Sequence, residues 1–328
     1  MEDKRVILQV RGLSKNFEIK SKKVFGKSQT LHALTDVNLD IYSGETLGII
    51  GESGCGKSTL GRCLVQLHTP TEGEILYKGE NILKKKGNER KQLCRELQMI
   101  FQDPYSSLDP RKTAAYSVAE PMLVHGVVKD KEECDKRVLE LLQEVGLDLQ
   151  HMQRYPHEFS GGQRQRLNIA RAISLNPSVI VCDEPVSALD VSIQAQVINL
   201  FKRLQREYGL TYVFISHDLG IIKYISDRIA IMYLGRIVEL CRAEDIYTEP
   251  LHPYTKALLS AIPPESPFEA KKRIILEGDI PSPIGEQVGC PLAGRCPSCM
   301  ERCRKERPVL KEYEKGHQVA CFLYDEKG

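Results

Sequence analysis

The chain has 328 residues, 41% of them hydrophobic and 27% charged, an ordinary globular composition with room for one large domain and an extension or for two domains. Lysine and arginine number 46 against 44 acidic residues, and this balance argues against bulk binding of nucleic acid. The N-terminus lacks a signal-peptide pattern and no apolar run is long enough to span a membrane, so we expect a protein of the reducing cytoplasm.

After a strand pattern at Val6–Val10, the first motif is a glycine-rich loop between a strand pattern at Thr46–Ile50 and a helical pattern. The loop fits G-x-x-x-x-G-K-[ST] at every fixed position. Its glycines let backbone N–H groups turn toward a phosphate chain, and the helix start adds a favourable dipole. Lys57 can reach the terminal phosphates, and Ser58 can bind Mg²⁺. The residues of this predicted nucleotide site are Gly51, Ser53, Gly54, Cys55, Gly56, Lys57, Ser58 and Thr59.

Residues from about 103 to 175 are predicted to be mostly helical, and they carry a second glycine motif. Ser160 is a good helix N-cap, and Gly161 and Gly162, followed by Gln163, expose backbone N–H groups at the helix start. This arrangement predicts a second anion site, which one nucleotide in one chain does not need. We therefore expect another copy or a homologous subunit to complete each site.

An apolar run at Val179–Cys182 reads as a buried parallel strand that ends in Asp183 and Glu184. The carboxyl ends of such strands form the ligand edge of an open α/β sheet. Asp183 would hold Mg²⁺ through water, and Glu184 would act as the base for an attacking water molecule. Without the glycine loop, the same residues would read as a solvated acidic turn.

A further apolar run, Tyr212–Ile215, ends in Ser216 and His217, and another strand pattern follows at Ile229–Tyr233. A lone histidine after a strand is usually a surface or capping residue. Here it is the second polar strand end in a chain with a phosphate loop, so we expect His217 to contact the γ-phosphate. The alternation of strands and helices predicts an α/β fold.

The cysteines are unevenly distributed along the chain. Of 11 cysteines, five lie in the last forty residues, at Cys290, Cys296, Cys299, Cys303 and Cys321. In a reducing compartment this clustering favours metal ligation over disulfides. Thiolates suit tetrahedral zinc or a 4Fe–4S cluster, the spacing Cys296-x₂-Cys299 also suits zinc, and unliganded thiols remain an alternative. A bound metal would stabilise a segment that is too small to fold around a hydrophobic core of its own.

Proline-rich Ile262–Ala270 marks a linker. We therefore divide the chain into a nucleotide-binding domain at residues 1–262 and a cysteine-rich extension at residues 263–328.

With these motifs in this order, the sequence resembles the ATP-binding subunits of ABC transporters over nearly its whole length. The matching stretches are GESGCGKST, FSGGQ, VIVCDEP, SALD, SHD and QMIFQDPYSSLDPR. The resemblance implies a P-loop NTPase domain with a RecA-like core, an antiparallel β subdomain and a helical subdomain. It also implies that two such subunits pack head to tail, with ATP between one chain's phosphate loop and the partner's Ser160–Gln163 motif.

The same resemblance assigns roles to single residues. Glu184, His217 and Gln102 would be catalytic, and Ser58, Gln102 and Asp183 would hold Mg²⁺. Gln102 follows a strand and would link the chemistry to the membrane subunits. Phe17 is the candidate for the aromatic residue that stacks on adenine, although a core phenylalanine is nearly as good an interpretation.

A narrower resemblance is to the oligopeptide/dipeptide permease branch. It rests on FQDPYSSLDPR, CDEPVSALDVSIQAQVINL, PLHPYTKALLSAIP and EGDIPSP. In relatives of this branch a four-cysteine tail is associated with an iron–sulfur cluster, which here implies Cys290, Cys296, Cys303 and Cys321 as ligands, with Cys299 as an addition. The branch implies a peptide importer, two transmembrane permease subunits, a second ATPase subunit in a heterodimer, an extracytoplasmic peptide-binding protein and a peripheral position on the cytoplasmic face of the membrane.

Three other functions remain open from the sequence. The chain could be a soluble ABC ATPase that acts on ribosomes or DNA, although such proteins usually carry two nucleotide domains or long coiled-coil arms. It could serve an importer of another small solute, such as a metal chelate. It could also be a redox or nucleic-acid-binding metalloprotein that works through its cysteine tail, which the intact hydrolytic motifs argue against.

Overall fold

A computed structural model gives the architecture of the chain. The residues that it describes are 5–19, 28–262, 273–285, 288–314 and 316–327. The linker predicted at Ile262–Ala270 lies outside them except for Ile262. Within these ranges, no helix combines the length and apolar character needed to cross a membrane.

Twelve strands and ten helices form the described part of the chain. The strands are β1 (Val6–Ile19), β2 (Gln29–Tyr42), β3 (Thr46–Ile50), β4 (Glu72–Tyr77), β5 (Glu80–Asn81), β6 (Leu97–Ile100), β7 (Val179–Asp183), β8 (Thr211–Ile215), β9 (Arg228–Tyr233), β10 (Arg236–Arg242), β11 (Lys311–Glu314) and β12 (His317–Val319). The helices are α1 (Lys57–Leu64), α2 (Gly87–Glu96), α3 (Ala114–His125), α4 (Lys131–Glu144), α5 (Gly161–Ile173), α6 (Val191–Tyr208), α7 (Leu219–Ile225), α8 (Ala243–Thr248), α9 (Pro253–Ser260) and α10 (Glu301–Lys305).

The main sheet has the order β11-β12-β10-β9-β3-β8-β7-β6. From β9 to β6 all neighbouring strands are parallel. Successive side chains of these strands point to opposite faces, so Ile180 and Cys182 pack with the helical core while Val179 and Val181 pack with the core around α1. Both faces are therefore covered, which explains the continuous apolar runs in the sequence. The predicted α/β class is confirmed.

A second, antiparallel sheet has the order β2-β1-β4-β5. Its strand β1 runs nine residues beyond the predicted end at Val10, because β2 pairs with it along most of its length. Register shifts interrupt this pairing, for example between Val10 and Leu13, and they break the simple alternation that the sequence reading relied on. The sheet packs on α1 through residues such as Leu8, Leu34 and Leu60.

The segment predicted to be mostly helical contains α3, α4 and α5. The Thr113 and Asp130 side chains cap the starts of α3 and α4 by accepting bonds from Tyr116 N and Glu133 N. Buried residues of the three helices, including Val118, Leu141 and Leu167, share one core with β7 and β8. The helical part is thus fixed to the sheet that carries the phosphate loop.

The C-terminal region continues the main sheet. The hairpin of β11 and β12 pairs with β10 through Glu239 and Leu240. His317 lies on β12 and its Nε2 is 2.8 Å from Oε1 of Glu239, with both side chains buried. This buried pair joins the cysteine-rich segment to the nucleotide-binding domain.

Candidate functional site

Four loops meet where β3, β6, β7 and β8 end, and they border a cleft of about 650 Å³. The loop after β3 supplies one wall, and the loops after β6, β7 and β8 supply Gln102, Glu184 and His217. The residues of the first loop that line the cleft are Ser53, Gly54, Gly56, Lys57, Ser58 and Thr59. The structure therefore brings together most of the site residues that were predicted from motifs spread over more than a hundred positions.

The shape of the first loop depends on glycine. A Cβ atom on Gly51 would lie 2.2 Å from the Met232 carbonyl oxygen, so no side chain fits there. Gly56 has a φ of 105°, and a Cβ atom on it would lie 2.4 Å from the Ala33 carbonyl oxygen. Gly51 and Cys55 do not line the cleft, and the Cys55 thiol is buried below the loop, where burial raises its pKa. Gly51 and Cys55 therefore belong to the backbone of the phosphate cradle and not to the surface of the cleft.

Lys57 is folded back onto the loop that carries it. Its Nζ donates to the carbonyl oxygens of Gly51, at 2.7 Å, and Glu52, at 3.0 Å. The side chain is only 5% exposed, so the ammonium group is held at the floor of the cleft. A phosphate chain in the cradle would replace these carbonyl partners with stronger, charge-assisted ones.

Ser58, at the start of α1, meets Asp183, at the end of β7. The Ser58 hydroxyl donates to Oδ1 of Asp183 at 2.8 Å. Burial raises the pKa of Asp183, the Ser58 hydrogen bond acts in the opposite direction, and Asp183 is only 2% exposed. A hydroxyl oxygen beside a buried carboxylate is a donor set that Mg²⁺ prefers, so these two residues fit the predicted metal ion.

Glu184 lies at the centre of a polar triad. Its Oε2 accepts from Nε2 of Gln102 at 3.0 Å and lies 3.1 Å from Nδ1 of His217. The backbone of Glu184 has a φ of 47°, which is uncommon for a residue other than glycine. Gln102 and His217 thus both contact the Glu184 carboxylate, and the role of Gln102 as a Mg²⁺ ligand stays a prediction.

Phe17 lines the cleft together with Leu31, Ala33 and Pro283. It lies opposite Leu31 in the pairing of β1 with β2. His68 meets its ring edge-on at 5.6 Å between centroids, and Lys15 Nζ lies 4.9 Å from its centroid. Phe17 is thus at the surface of the cleft, and its contact with a base stays a prediction.

The motif Ser160–Gln163 forms the start of α5 and lies outside this cleft. The Ser160 hydroxyl accepts from Gln163 N at 3.3 Å, and the Gln163 side chain accepts from Ser160 N at 3.0 Å. This reciprocal capping box fixes the helix start. The motif and the phosphate loop are not assembled within one chain, as the sequence led us to expect.

The C-terminal segment reaches the phosphate loop, which the sequence did not predict. The Arg295 guanidinium donates to Oε2 of Glu52 and to the Tyr233 hydroxyl, both at 3.3 Å. Glu52 N in turn donates to the Tyr254 hydroxyl at 2.9 Å. No local motif surrounds Arg295, because its role depends on a contact across 243 positions of the chain.

The cysteines of the C-terminal region are all free thiols. Cys290, Cys296, Cys303 and Cys321 line one small cavity, whereas Cys299 is outside it and donates to the Met300 carbonyl oxygen. Burial, and then the neighbouring thiols, raise the pKa of Cys290 and Cys321 to about 11.

Apolar side chains, including Leu292 and Phe322, form most of the remaining lining, together with His252 and Ser298. Thiolates in this cavity would need a cation to balance their charge, and a bound metal would supply it.

A different group of ligand-type side chains is more compact. Glu239, Cys241 and His317 are the one set of three in the described residues whose ligand atoms lie within 4.8 Å of one another. Burial alone would raise the pKa of Glu239, but hydrogen bonds from His317 and from the backbone N–H groups of Leu251 and His252 outweigh it and lower the pKa. Glu239 thus accepts three hydrogen bonds from the surrounding protein, and it acts as a structural anchor.

Comparison with known families matches two parts of the chain. Residues 34–187 match the family model for the ABC transporter domain. Residues 238–303 match the family model for the C-terminal region of oligopeptide/dipeptide transporters.

Individual relatives extend over nearly the full chain. The putative oligopeptide transport ATP-binding protein YkfD of Bacillus subtilis is 52% identical over 97% of this chain and 95% of its own length. The oligopeptide transport ATP-binding protein OppF of Escherichia coli is 48% identical over 99% of this chain and 98% of its own length.

The solved dimeric structure of a post-hydrolysis state of the ATP-binding cassette MJ0796, bound to ADP and Pi, has a TM-score of 0.64. It is 30% identical in sequence, and the match covers 72% of this chain and 99% of that one.

Proposed function

Because the chain belongs to the ATP-binding proteins of ABC transporters, in the oligopeptide/dipeptide branch, we propose that it hydrolyses ATP to energise a peptide importer. The observation that carries this proposal is the position of Glu184. Its carboxylate borders the cleft opposite the phosphate loop, and Gln102 and His217 orient it. A binding module without hydrolysis has no need of a positioned base.

Glu184 is the base for the water molecule that attacks the terminal phosphate. The side chains of Gln102 and His217 both contact Oε2 of this carboxylate, so that Oε1 is the oxygen for the water. An ionised carboxylate only accepts, so His217 donates to Glu184 from Nδ1, and with a proton on both ring nitrogens it also donates from Nε2 to a γ-phosphate oxygen. Gln102 donates to the same oxygen and limits the rotation of the carboxylate. The triad thus holds the proton acceptor in place before the reaction.

Lys57, the loop N–H groups and the start of α1 bind the phosphates. Ser58 and Asp183 would hold Mg²⁺, which neutralises the charge that develops on the phosphate oxygens. Lys57 exchanges its carbonyl partners for phosphate oxygens when ATP binds. This chain thus supplies the groups that bind one side of the nucleotide.

The other side of the nucleotide comes from a partner subunit. Ser160–Gln163 lie outside the cleft of their own chain, yet their capped helix start suits an anion. A head-to-tail pair of homologous ATPase subunits, in our proposal a heterodimer, would bring this motif onto the partner's ATP. Two transmembrane permease subunits and an extracytoplasmic peptide-binding protein complete the importer, with this chain on the cytoplasmic face of the membrane.

The C-terminal thiols, in our proposal, hold a 4Fe–4S cluster through Cys290, Cys296, Cys303 and Cys321. Two observations support this. The four thiols share one cavity that excludes Cys299, and among the described residues no three of them have their sulfur atoms within 4.8 Å of one another. Tetrahedral zinc would need sulfur atoms about 3.8 Å apart. The wider arrangement suits a larger centre.

The proposed base is tested with Glu184→Gln. We expect ATP binding to remain and hydrolysis to fall by about 10²- to 10⁴-fold, the usual contribution of a general base. The control is Glu132→Gln, which removes an exposed carboxylate on α4. Hydrolysis near the original rate in Glu184→Gln would refute the assignment. Peptide uptake into vesicles that contain the co-purified membrane subunits tests the cargo, and uptake of other solutes alone would refute it.

The proposed cluster is tested on protein purified without oxygen. We expect matching iron and sulfide contents and a broad charge-transfer absorbance in the visible range. Cys303→Ser should abolish both, while the matched control Cys299→Ser should keep both. A measured content of one zinc ion per chain and no sulfide would refute the cluster and indicate a zinc site.

A further inference from the structure

A stretch of the C-terminal segment lies beside the phosphate loop and ends against β2. The stretch comprises residues 280–285, and we call it the strap. Ile280, Pro281 and Pro283 line one cavity together with Glu52 and Ser53 of the loop. The strap thus neighbours the backbone that forms the phosphate cradle.

The far end of the strap is fixed to β2 by main-chain contacts. His32 N donates to the Pro283 carbonyl oxygen at 2.9 Å, and Gly285 N donates to the Thr30 carbonyl oxygen at 3.2 Å. Leu31 and Ile284 form an antiparallel bridge between these bonds. The strap therefore pairs briefly with the outer edge of β2, so that Leu31 lies between Ile284 of the strap and Phe17 of β1.

Pro283 is the residue of the strap that lines the ATP cleft. It lines the cleft with Phe17, Leu31 and Ala33 of β1 and β2, whereas Glu184 and His217 follow strands of the main sheet. The wall formed by β1, β2 and the strap offers apolar surface, whereas the phosphate loop offers N–H donors and Lys57. The proline ring has no hydrogen-bond donor for a phosphate, but it presents a rigid apolar face to a ribose or a purine ring.

We propose that Pro283 is a nucleotide-positioning residue that contacts the nucleoside part of ATP, so that the C-terminal segment forms part of the ATP site. The inference rests on the proposed function, because it takes ATP as the ligand of the cleft. The Arg295 contact with Glu52 supports this inference independently, because it is a second contact between the C-terminal segment and the phosphate loop.

The test compares two ligands and two variants in the full-length chain. Pro283→Ala removes the ring but keeps the carbonyl group that accepts from His32. Pro281→Ala is the matched control, because Pro281 is in the same strap and lines the neighbouring cavity but not the cleft. Binding of ATP and of inorganic tripolyphosphate is measured in the Glu184→Gln background, which prevents turnover.

We expect Pro283→Ala to weaken ATP binding by about 3- to 10-fold, the effect of losing one or two buried CH₂ contacts. Binding of tripolyphosphate should change by less than about two-fold in both variants, since phosphate contacts remain. Unchanged ATP binding by Pro283→Ala, an equal loss for both ligands, or an equal effect of Pro281→Ala would each overturn the inference. Failure of the premise that ATP occupies the cleft is distinguishable, because the Glu184→Gln chain with Pro283 intact would then not bind ATP at all, and failure of hydrolysis or peptide import would leave this binding comparison unchanged.

Discussion

The phosphate loop and the cysteine-rich C-terminal segment border the same cleft, but they are held there in different ways. The loop takes its shape from neighbouring positions in the chain, through Gly51, Gly56 and the start of α1. The C-terminal segment depends on distant pairs, such as His317 with Glu239 and Arg295 with Glu52. We therefore expect changes in the loop to act on ligand binding and changes in the segment to act first on stability.

Lys57→Ala should give the largest effect and sharpen this comparison. ATP affinity should fall by at least about 100-fold, because each charge-assisted hydrogen bond contributes roughly 1.5–3 kcal/mol. The free energy of unfolding should change by less than about 1 kcal/mol, since water can replace Lys57 at the two carbonyl oxygens. Calorimetric titration and urea unfolding measure both quantities, with Lys131→Ala as an exposed control. Retained ATP affinity would remove Lys57 from the binding site.

His317→Ala should show the opposite pattern. The buried Glu239 carboxylate loses one of its donors, which should lower the free energy of unfolding by about 1–3 kcal/mol. ATP affinity should stay within about two-fold of the parent chain, because the change is distant from the cleft. His317→Gln keeps a donor and should recover part of the loss in urea unfolding. A loss of ATP affinity without loss of stability would break the comparison.

The free energy of unfolding should depend on pH through the same buried carboxylate, Glu239. The folded-state pKa of Glu239 is lowered, so its contribution is complete above the ordinary value of 4.5 and is lost as the pH falls through the lower folded value. Glu239→Gln removes this dependence. The difference in unfolding free energy between the parent chain and Glu239→Gln should therefore shrink as the pH drops below 4.5. A difference that grows toward acid pH would contradict the assignment.

Arg295→Ala should give the smallest effect. Its ion pair with Glu52 is partly exposed, and such pairs contribute at most about 1 kcal/mol, so ATP affinity should fall by no more than about five-fold. Arg295→Lys keeps the charge, and Arg304→Ala is an exposed control in the same segment. A loss as large as that of Lys57→Ala would show that both regions control binding equally.

Much of the cleft was predictable because its residues follow strands that the sequence marks clearly. The apolar runs before Asp183 and His217 are fully buried strands, and the glycine pattern specifies the loop between β3 and α1. Parallel strands bring their carboxyl ends to one edge, so the meeting of these residues followed from the fold class. The hydrogen bond of Gln102 to Glu184 did not, because side-chain partners within a site are not encoded by spacing.

The remaining parts were not predictable for a physical reason. The extension of β1 beyond Val10 depends on pairing with β2. Pro283 reaches the cleft, and Arg295 reaches the phosphate loop, through contacts with residues more than two hundred positions away. The spacing of the cysteines kept Cys299 as a candidate ligand, and only the family resemblance singled out the other four. In the folded chain those four line one cavity and Cys299 lies outside it.

The hairpin at the end of the main sheet has a consequence for the solubility of shortened versions of the chain. β12 covers the edge of β10, whose residues Ile237, Val238 and Leu240 are buried. The new outer strand, β11, has only four residues, three of them charged, and so it is a poor template for further strand pairing. A chain cut before β11 would expose β10 as a bare apolar edge. Copies would then aggregate edge to edge, even with the phosphate loop intact.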